Sequence, residues 1–202
     1  AGLAYTGSGP EASALAMDKV AAKVFFRDAR IPVPAEALWR PAGRAGSGWA
    51  PGPIPDVGPL GGYPVVVKPI AGGSTLGLTI VREPSLWPAA WEAAHGEIDP
   101  RRGLLVEQFI PGRELTVGVL DDQPLPVVEI IPRTGFYDFQ HKYTKGQSDY
   151  IVPAQIPSGL AAELQERSVR AWHALGCRGM ARVDYRLDPS GEIGRASCRE
   201  RV

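Results

Sequence analysis

Residues 65–77 read VVVKPIAGGSTLG, and this stretch decides what the surrounding chain can be. Three β-branched valines favour an extended, half-buried strand. The strand runs into Lys68-Pro69 and a loop carrying Gly72, Gly73, Ser74, Thr75 and Gly77. Glycines let backbone N–H groups close on an anion with no Cβ in the way, and the two hydroxyls add donors. Period-two geometry puts Val65 and Val67 on one face and Val66 with Lys68 on the other, so the ammonium is aimed near the loop. Because the lysine precedes the glycines, the stretch is not a Walker A loop, and it does not match GxGxxG. Taken alone, a Gly-rich loop is equally an ordinary turn.

Composition narrows the class. At 202 residues the chain is long enough for one or two domains with a real core. A formal net charge of zero leaves no basic excess for nucleic acid or an acidic membrane surface. No run approaches about 18 apolar residues, and the opening AGLAYTGSG has no basic region followed by a hydrophobic one. The expectation is a cytoplasmic protein with no nucleic-acid and no membrane partner. Cys177 and Cys198 are expected as reduced thiols.

Along the chain, Ser8-Gly9-Pro10-Glu11 reads as a capping-box helix start. The helix is expected to run to about Arg30, with Met17, Val20, Ala21, Val24 and Phe25 as its apolar stripe. Lys19, Lys23 and Arg27 form an i, i+4, i+8 row that a solvated basic face also explains. Residues 41–62 are rich in Pro and Gly and are expected as a mobile loop. Strands at about 64–68, 77–82 and 104–110 accompany a helix at about 85–96. Turns at Pro111-Gly112 and Asp121-Asp122 then predict an antiparallel meander through ELTVGVL and LPVVEII. Residues 133–152 are polar and aromatic without a period, as in a functional loop. A helix from Ser158 stops at Gly176. The strand at 179–187 puts Arg182 and Asp184 on one face, opposite Val183, Tyr185 and Leu187. A hard carboxylate suited to Mg²⁺ beside a cation able to hold developing charge is one reading of that pair; a structural ion pair is the other.

The segments YTGSG (5–9), ALAMDKVAAK (14–23), YPVVVKP (63–69), GGSTLG (72–77), LVEQFIPGRELTVGVL (105–120), GFYDFQHKY (135–143) and LGCRGMARVDYRLD (175–188) together resemble the D-alanine D-alanine ligase family of the ATP-grasp fold. The resemblance implies an α+β fold whose two subdomains grip ATP between antiparallel sheets. It also implies ATP-dependent joining of two D-alanines, through an acyl phosphate, for peptidoglycan synthesis. By the same resemblance Lys19, Lys68 and Lys142 reach the phosphates, and Gly73, Ser74 and Thr75 cover them. Glu107 takes the adenine amino group, and the backbone of Gln108, Phe109 and Ile110 reads the ring edge. Glu114 accepts from the ribose hydroxyls, a position where a surface glutamate beside Arg113 reads the same. Arg182 steadies a tetrahedral intermediate, and Asp184 ligates Mg²⁺, or Mn²⁺ in its place. Tyr143 joins a hydroxyl network with Ser74 that favours D-alanine over D-lactate as second substrate. A homodimer of the full-length parent is compatible with the family.

The resemblance also divides the chain: residues 1–9 end a preceding domain, 10–110 form the central subdomain, 111–192 an incomplete C-terminal subdomain, and 193–202 are foreign. After Gly191 the family continues with a strand ending in Glu-x-Asn metal ligands. This chain reads EIGRASCRERV instead, the translation of a common short-read sequencing adapter. The chain is therefore expected to be a fragment. Two alternatives stand beside the ligase: another ATP-grasp carboxylate–amine ligase, against which GFYDFQHKY argues, and a catalytically silent nucleotide-binding fragment.

Overall fold

The computed structural model describes residues 5–46, 48–73, 76–95, 102–132, 148–190 and 193–199. They fall into two units: Pro34–Phe109, and the described residues on either side of it. The chain opens with two helices, α1 (Pro10–Met17) and α2 (Lys19–Asp28), where the pattern predicts one. Asp18 leaves the helical region (φ −92°, ψ 101°). Its Oδ1 accepts from the N–H groups of Val20 and Ala21 at 3.1 and 3.0 Å, because a short acidic side chain competes with the helix interior and caps a new one. The capping box at Ser8 does not form. The N-cap of α1 is Gly9, and Ser8 Oγ instead donates to Arg178 O at 3.3 Å and accepts from Arg178 N at 3.1 Å.

The buried face of these helices is also not the expected one. Ala12, Ala16, Ala22 and Phe26 are buried, as is Lys23, whereas Met17, Val24 and Phe25 are exposed. Large apolar side chains outweigh alanines in a hydropathy pattern. Alanines, however, let a helix backbone lie close on a packed layer, and they face inward here.

The unit of Pro34–Phe109 contains β1 (Glu36–Trp39), β2 (Pro41–Ala45), β3 (Gly48–Pro51), β4 (Val65–Pro69), β5 (Thr79–Val81), helix α3 (Trp87–His95) and β6 (Leu104–Gln108). Four strands make an antiparallel sheet in the order β1-β6-β4-β5. The expected alternation of β4 holds: Val65 and Val67 are fully buried, while Val66 and Lys68 occupy the other face. Val65, Val67, Val81 and Val106 pack with Trp39, Trp87 and Trp91. The Trp39 ring meets the other two edge-on at centroid distances of 5.0 Å, a geometry aromatic quadrupoles favour. The indole N–H of Trp87 donates to Tyr63 Oη at 2.7 Å and that of Trp39 to Gly52 O at 3.0 Å.

Residues 41–62 are thus not a loop throughout. β2 and β3 pair as a ribbon, and Trp49 lies partly buried against the tryptophan core. Proline is tolerated at the ends of such a ribbon because no central ladder bond is lost.

The second unit holds β7 (Arg113–Leu120), β8 (Gln123–Pro124), β9 (Val128–Pro132), β10 (Ser148–Ile151), helix α4 (Ser158–Ala174), β11 (Met180–Leu187) and β12 (Ile193–Arg199). The strand order is β10-β9-β7-β11-β12, with β8 beside β7. Pro111-Gly112 therefore does not fold β6 and β7 into one meander; the two strands belong to different sheets. The Asp121-Asp122 turn does form, with both residues at positive φ. Of the expected loop at 133–152, residues 133–147 lie outside the described residues, and the remainder enters β10, paired with β9. Residues 193–199 pair their backbone with β11, which almost any sequence can do.

One core joins Phe26, Ala22 and Ile31 to Leu115, Val117, Leu164, Ala171, Val183 and Tyr185. The N-terminal helices, expected with the central subdomain, thus pack with the C-terminal strands. Cys177 is a buried free thiol in that core. Among the described residues no helix is long and apolar enough to cross a membrane.

Two buried hydroxyls punctuate this core. Ser168 Oγ donates to Leu164 O at 2.7 Å and accepts from Tyr185 Oη at 2.8 Å, with Tyr185 Oη also 3.3 Å from Leu164 O. Tyr185→Phe leaves the serine with one partner fewer and is expected to lower unfolding stability by about 1–2 kcal/mol in urea denaturation. An unchanged midpoint would show that the pair contributes nothing net.

Candidate active site

β7 and β11 pair in unbroken antiparallel register from Met180↔Leu120 to Leu187↔Arg113. Directly opposed residues share a face of the sheet. Leu115, Val117, Val183 and Tyr185 therefore turn into the core, and Glu114, Thr116, Arg182, Asp184 and Arg186 stand on the other side. Asp184 is only 6% exposed. Arg182 Nε lies 2.8 Å from its Oδ1 and Arg182 Nη2 donates to Oδ2 at 3.0 Å, while Thr116 Oγ1 donates to Oδ1 at 2.8 Å. Next along the face, Arg186 Nε donates to Ile110 O at 3.3 Å, and its Nη1 lies 3.5 Å from Glu114 Oε2. Burial pushes the Arg186 guanidinium below the ordinary arginine value, with the Glu114 charge pulling it back up; it stays charged at neutral pH.

Sequence reasoning singled out Glu114, Arg182 and Asp184 and missed Thr116 and Arg186. The period-two count that links 182 to 184 extends to 186, and Glu114-x-Thr116 mirrors it on the neighbouring strand.

Arg113 proves not to be the partner of Glu114. It stands in register with Leu187, on the core side of the sheet, and forks onto Glu129 with two bonds of 2.6 Å plus one of 3.0 Å to Gln155 O. The hydrogen-bonded carboxylate raises the Arg113 pKa against the opposing effect of burial. Glu114 is accordingly not a surface glutamate beside Arg113: its side chain is 16% exposed and it pairs with Arg186.

In the other unit, the register Val66↔Glu107 and Lys68↔Leu105 sets Lys68 and Glu107 diagonally on one face. Their side chains form an ion pair, 13% and 6% exposed. Two residues expected at opposite ends of a nucleotide are paired with each other. Of the expected ring-edge readers, Gln108 donates its N–H to Ala35 O at 3.0 Å, Ile110 accepts from Arg186, and Phe109 is half-buried. Gly73 accepts from Leu76 N–H at 3.3 Å, and Lys19, half-buried, opens α2. Ser74, Thr75, Lys142 and Tyr143 lie outside the described residues.

Among the described residues no group of three or more His, Cys, Asp or Glu side chains gathers as a metal cage. Asp184 nonetheless suits a hard cation. Mg²⁺ is commonly held by one or two carboxylates, with phosphate and water completing the shell.

The family model described as D-ala D-ala ligase C-terminus matches residues 56–195. The D-alanine--D-alanine ligase of Syntrophotalea carbinolica is 45% identical over 191 residues, which cover 95% of this chain and 58% of that protein. For the ligase of Geobacter sulfurreducens the figures are 41% over 191 residues, 95% and 57%. Among solved structures, the VanG D-Ala:D-Ser ligase from Enterococcus faecalis superposes with a TM-score of 0.76 at 31% identity, over 98% of this chain and 56% of that one. The D-alanine--D-alanine ligase from Bacillus anthracis does so with a TM-score of 0.74 at 26% identity, over 98% and 60%. The chain thus spans less than two thirds of the length of the relatives it matches. The α+β architecture with antiparallel sheets is that of the ATP-grasp ligases, as the sequence implies. With most of its length under the family model and its fold shared with these enzymes, the chain belongs to the D-alanine–D-alanine ligase family.

Proposed function

We propose that this chain is the ATP-binding part of a cytoplasmic ligase that joins two D-alanines into D-alanyl-D-alanine for peptidoglycan synthesis. In the proposed reaction the carboxylate of the first D-alanine attacks the γ-phosphorus of ATP and ADP leaves, giving an acyl phosphate. The amine of the second then adds to the acyl carbon, and phosphate departs from the tetrahedral intermediate. Catalysis is placement of charge. Lys68 and Lys19 neutralise phosphate oxygens, the glycine loop at 72–77 covers them, and Arg182 balances the charge of the tetrahedral oxygen. Glu107 and Glu114 orient the base and the ribose. Asp184 would hold Mg²⁺, or Mn²⁺, which would neutralise phosphate oxygens during transfer.

The observation that supports this best is the buried Asp184 set between Arg182 and Thr116 in a chain 45% identical to a protein named D-alanine--D-alanine ligase. The VanG likeness makes D-serine the acceptor to compare with D-alanine in a product assay. Titration of the 202-residue chain with ATP is expected to saturate and to tighten on addition of Mg²⁺. Asp184→Asn is expected to remove that tightening, about tenfold. Absence of ATP binding with and without Mg²⁺ would overturn the reading.

A further inference from the structure

We propose that Arg186 is a positioning residue for nucleotide recognition: it clamps the Glu114 carboxylate and the Ile110 carbonyl, and so sets the preference for a nucleotide with free ribose hydroxyls. The proposal rests on the ATP-binding reading above. Arg186 follows Asp184 by two residues and stands opposite Glu114 in the β7–β11 register, so it belongs to the same polar face. Its Nε reaches Ile110 O and its Nη1 reaches Glu114 Oε2, which places one guanidinium across the two ends of the Pro111-Gly112 turn. Only a planar fork with separate donors can serve two acceptors in this way; a lysine offers a point charge to one of them.

The chemistry of a ribose contact explains why such a clamp matters. A carboxylate that accepts from two neighbouring hydroxyls must be ionised and held in one rotamer. Glu114 is largely buried, an environment that by itself disfavours the charged form. Arg186 supplies a compensating charge from 3.5 Å while its Nε ties the same guanidinium to the Ile110 carbonyl.

The test is nucleotide selectivity, measured by calorimetric titration of the 202-residue chain with ATP and with 2′,3′-dideoxy-ATP in the presence of Mg²⁺. Wild type is expected to prefer ATP. Arg186→Met is expected to weaken ATP about tenfold while changing the dideoxy nucleotide by less than about twofold, so that the preference collapses, as is also expected for Glu114→Gln. Arg186→Lys is expected to keep part of it. Equal weakening of both nucleotides by Arg186→Met would mark a turn staple, and no weakening of either would mark a bystander; each overturns the proposal. If Arg186→Met does not fold by circular dichroism, Arg186→Lys carries the test, and an unchanged ATP preference overturns it. A wild-type chain that binds neither nucleotide removes the ATP-binding reading, and this inference with it.

Discussion

Lys68→Met is expected to cost the chain about 3 kcal/mol of unfolding free energy and to weaken ATP binding about a hundredfold. The first effect comes from the partner left behind. Glu107 is 6% exposed at its side chain, and methionine keeps the packing of the lysine stem while deleting the charge across the strand. A buried carboxylate deprived of its cation is a far larger penalty than an exposed pair broken in water. The second effect follows from the proposed phosphate contact, which loses a charge-assisted donor. The double variant Lys68→Met/Glu107→Gln separates the two. A neutral amide needs no counter-charge, so the double variant is expected to recover most of the stability in urea denaturation and none of the ATP affinity in calorimetry. Recovery of affinity along with stability would mean that Lys68 serves Glu107 and not the nucleotide. A single variant as stable as wild type would mean that other polar contacts satisfy Glu107.

That ion pair also shows where the sequence stops being legible. The alternation of Val65, Val66, Val67 and Lys68 is local, because a strand buried on one face writes its period into consecutive residues, and it held. The same logic placed Arg182 with Asp184. The pairing of Lys68 with Glu107 depends on the register between β4 and β6, strands separated by the whole of α3, and no local pattern encodes it. The meander expected through Pro111-Gly112 failed for a related reason, since a turn signal says that the chain bends and not which sheet receives it. On α1 and α2 the error was one of weight: Val24 and Phe25 look like core and are exposed, whereas Ala12, Ala16 and Ala22 are buried. The ribbon of β2 and β3 was hidden by its Pro and Gly content, yet Trp39 and Trp49 stabilise it through a hydrogen bond and partial burial.

The turn that carries the chain into β7 gives the other large expected effect. Gly112→Ala is expected to destabilise the second unit by about 3 kcal/mol or more and to weaken ATP binding with it. Gly112 has φ +110°, a conformation that side-chain-bearing residues rarely adopt, and a Cβ there would stand 2.1 Å from Leu187 O and 3.1 Å from the Asp188 Cα. Both obstacles are backbone, so no rotamer change relieves them. Relief requires the end of β11 to move away from β7, and this is where Leu187 faces Arg113 and Arg186 faces Glu114. Strain at one glycine therefore reaches the carboxylate proposed for the ribose. Gly159→Ala serves as the comparison: it lies in the first turn of α4, a Cβ there meets nothing within 4 Å, and alanine is the better helix former by roughly 0.5–1 kcal/mol. The expected order of denaturation midpoints is Gly159→Ala at or above wild type and Gly112→Ala well below it. A Gly112→Ala protein that melts with wild type and binds ATP as tightly would mean that the approach of Gly112 to Leu187 is looser in solution, and that the β7–β11 face does not depend on this turn for its geometry.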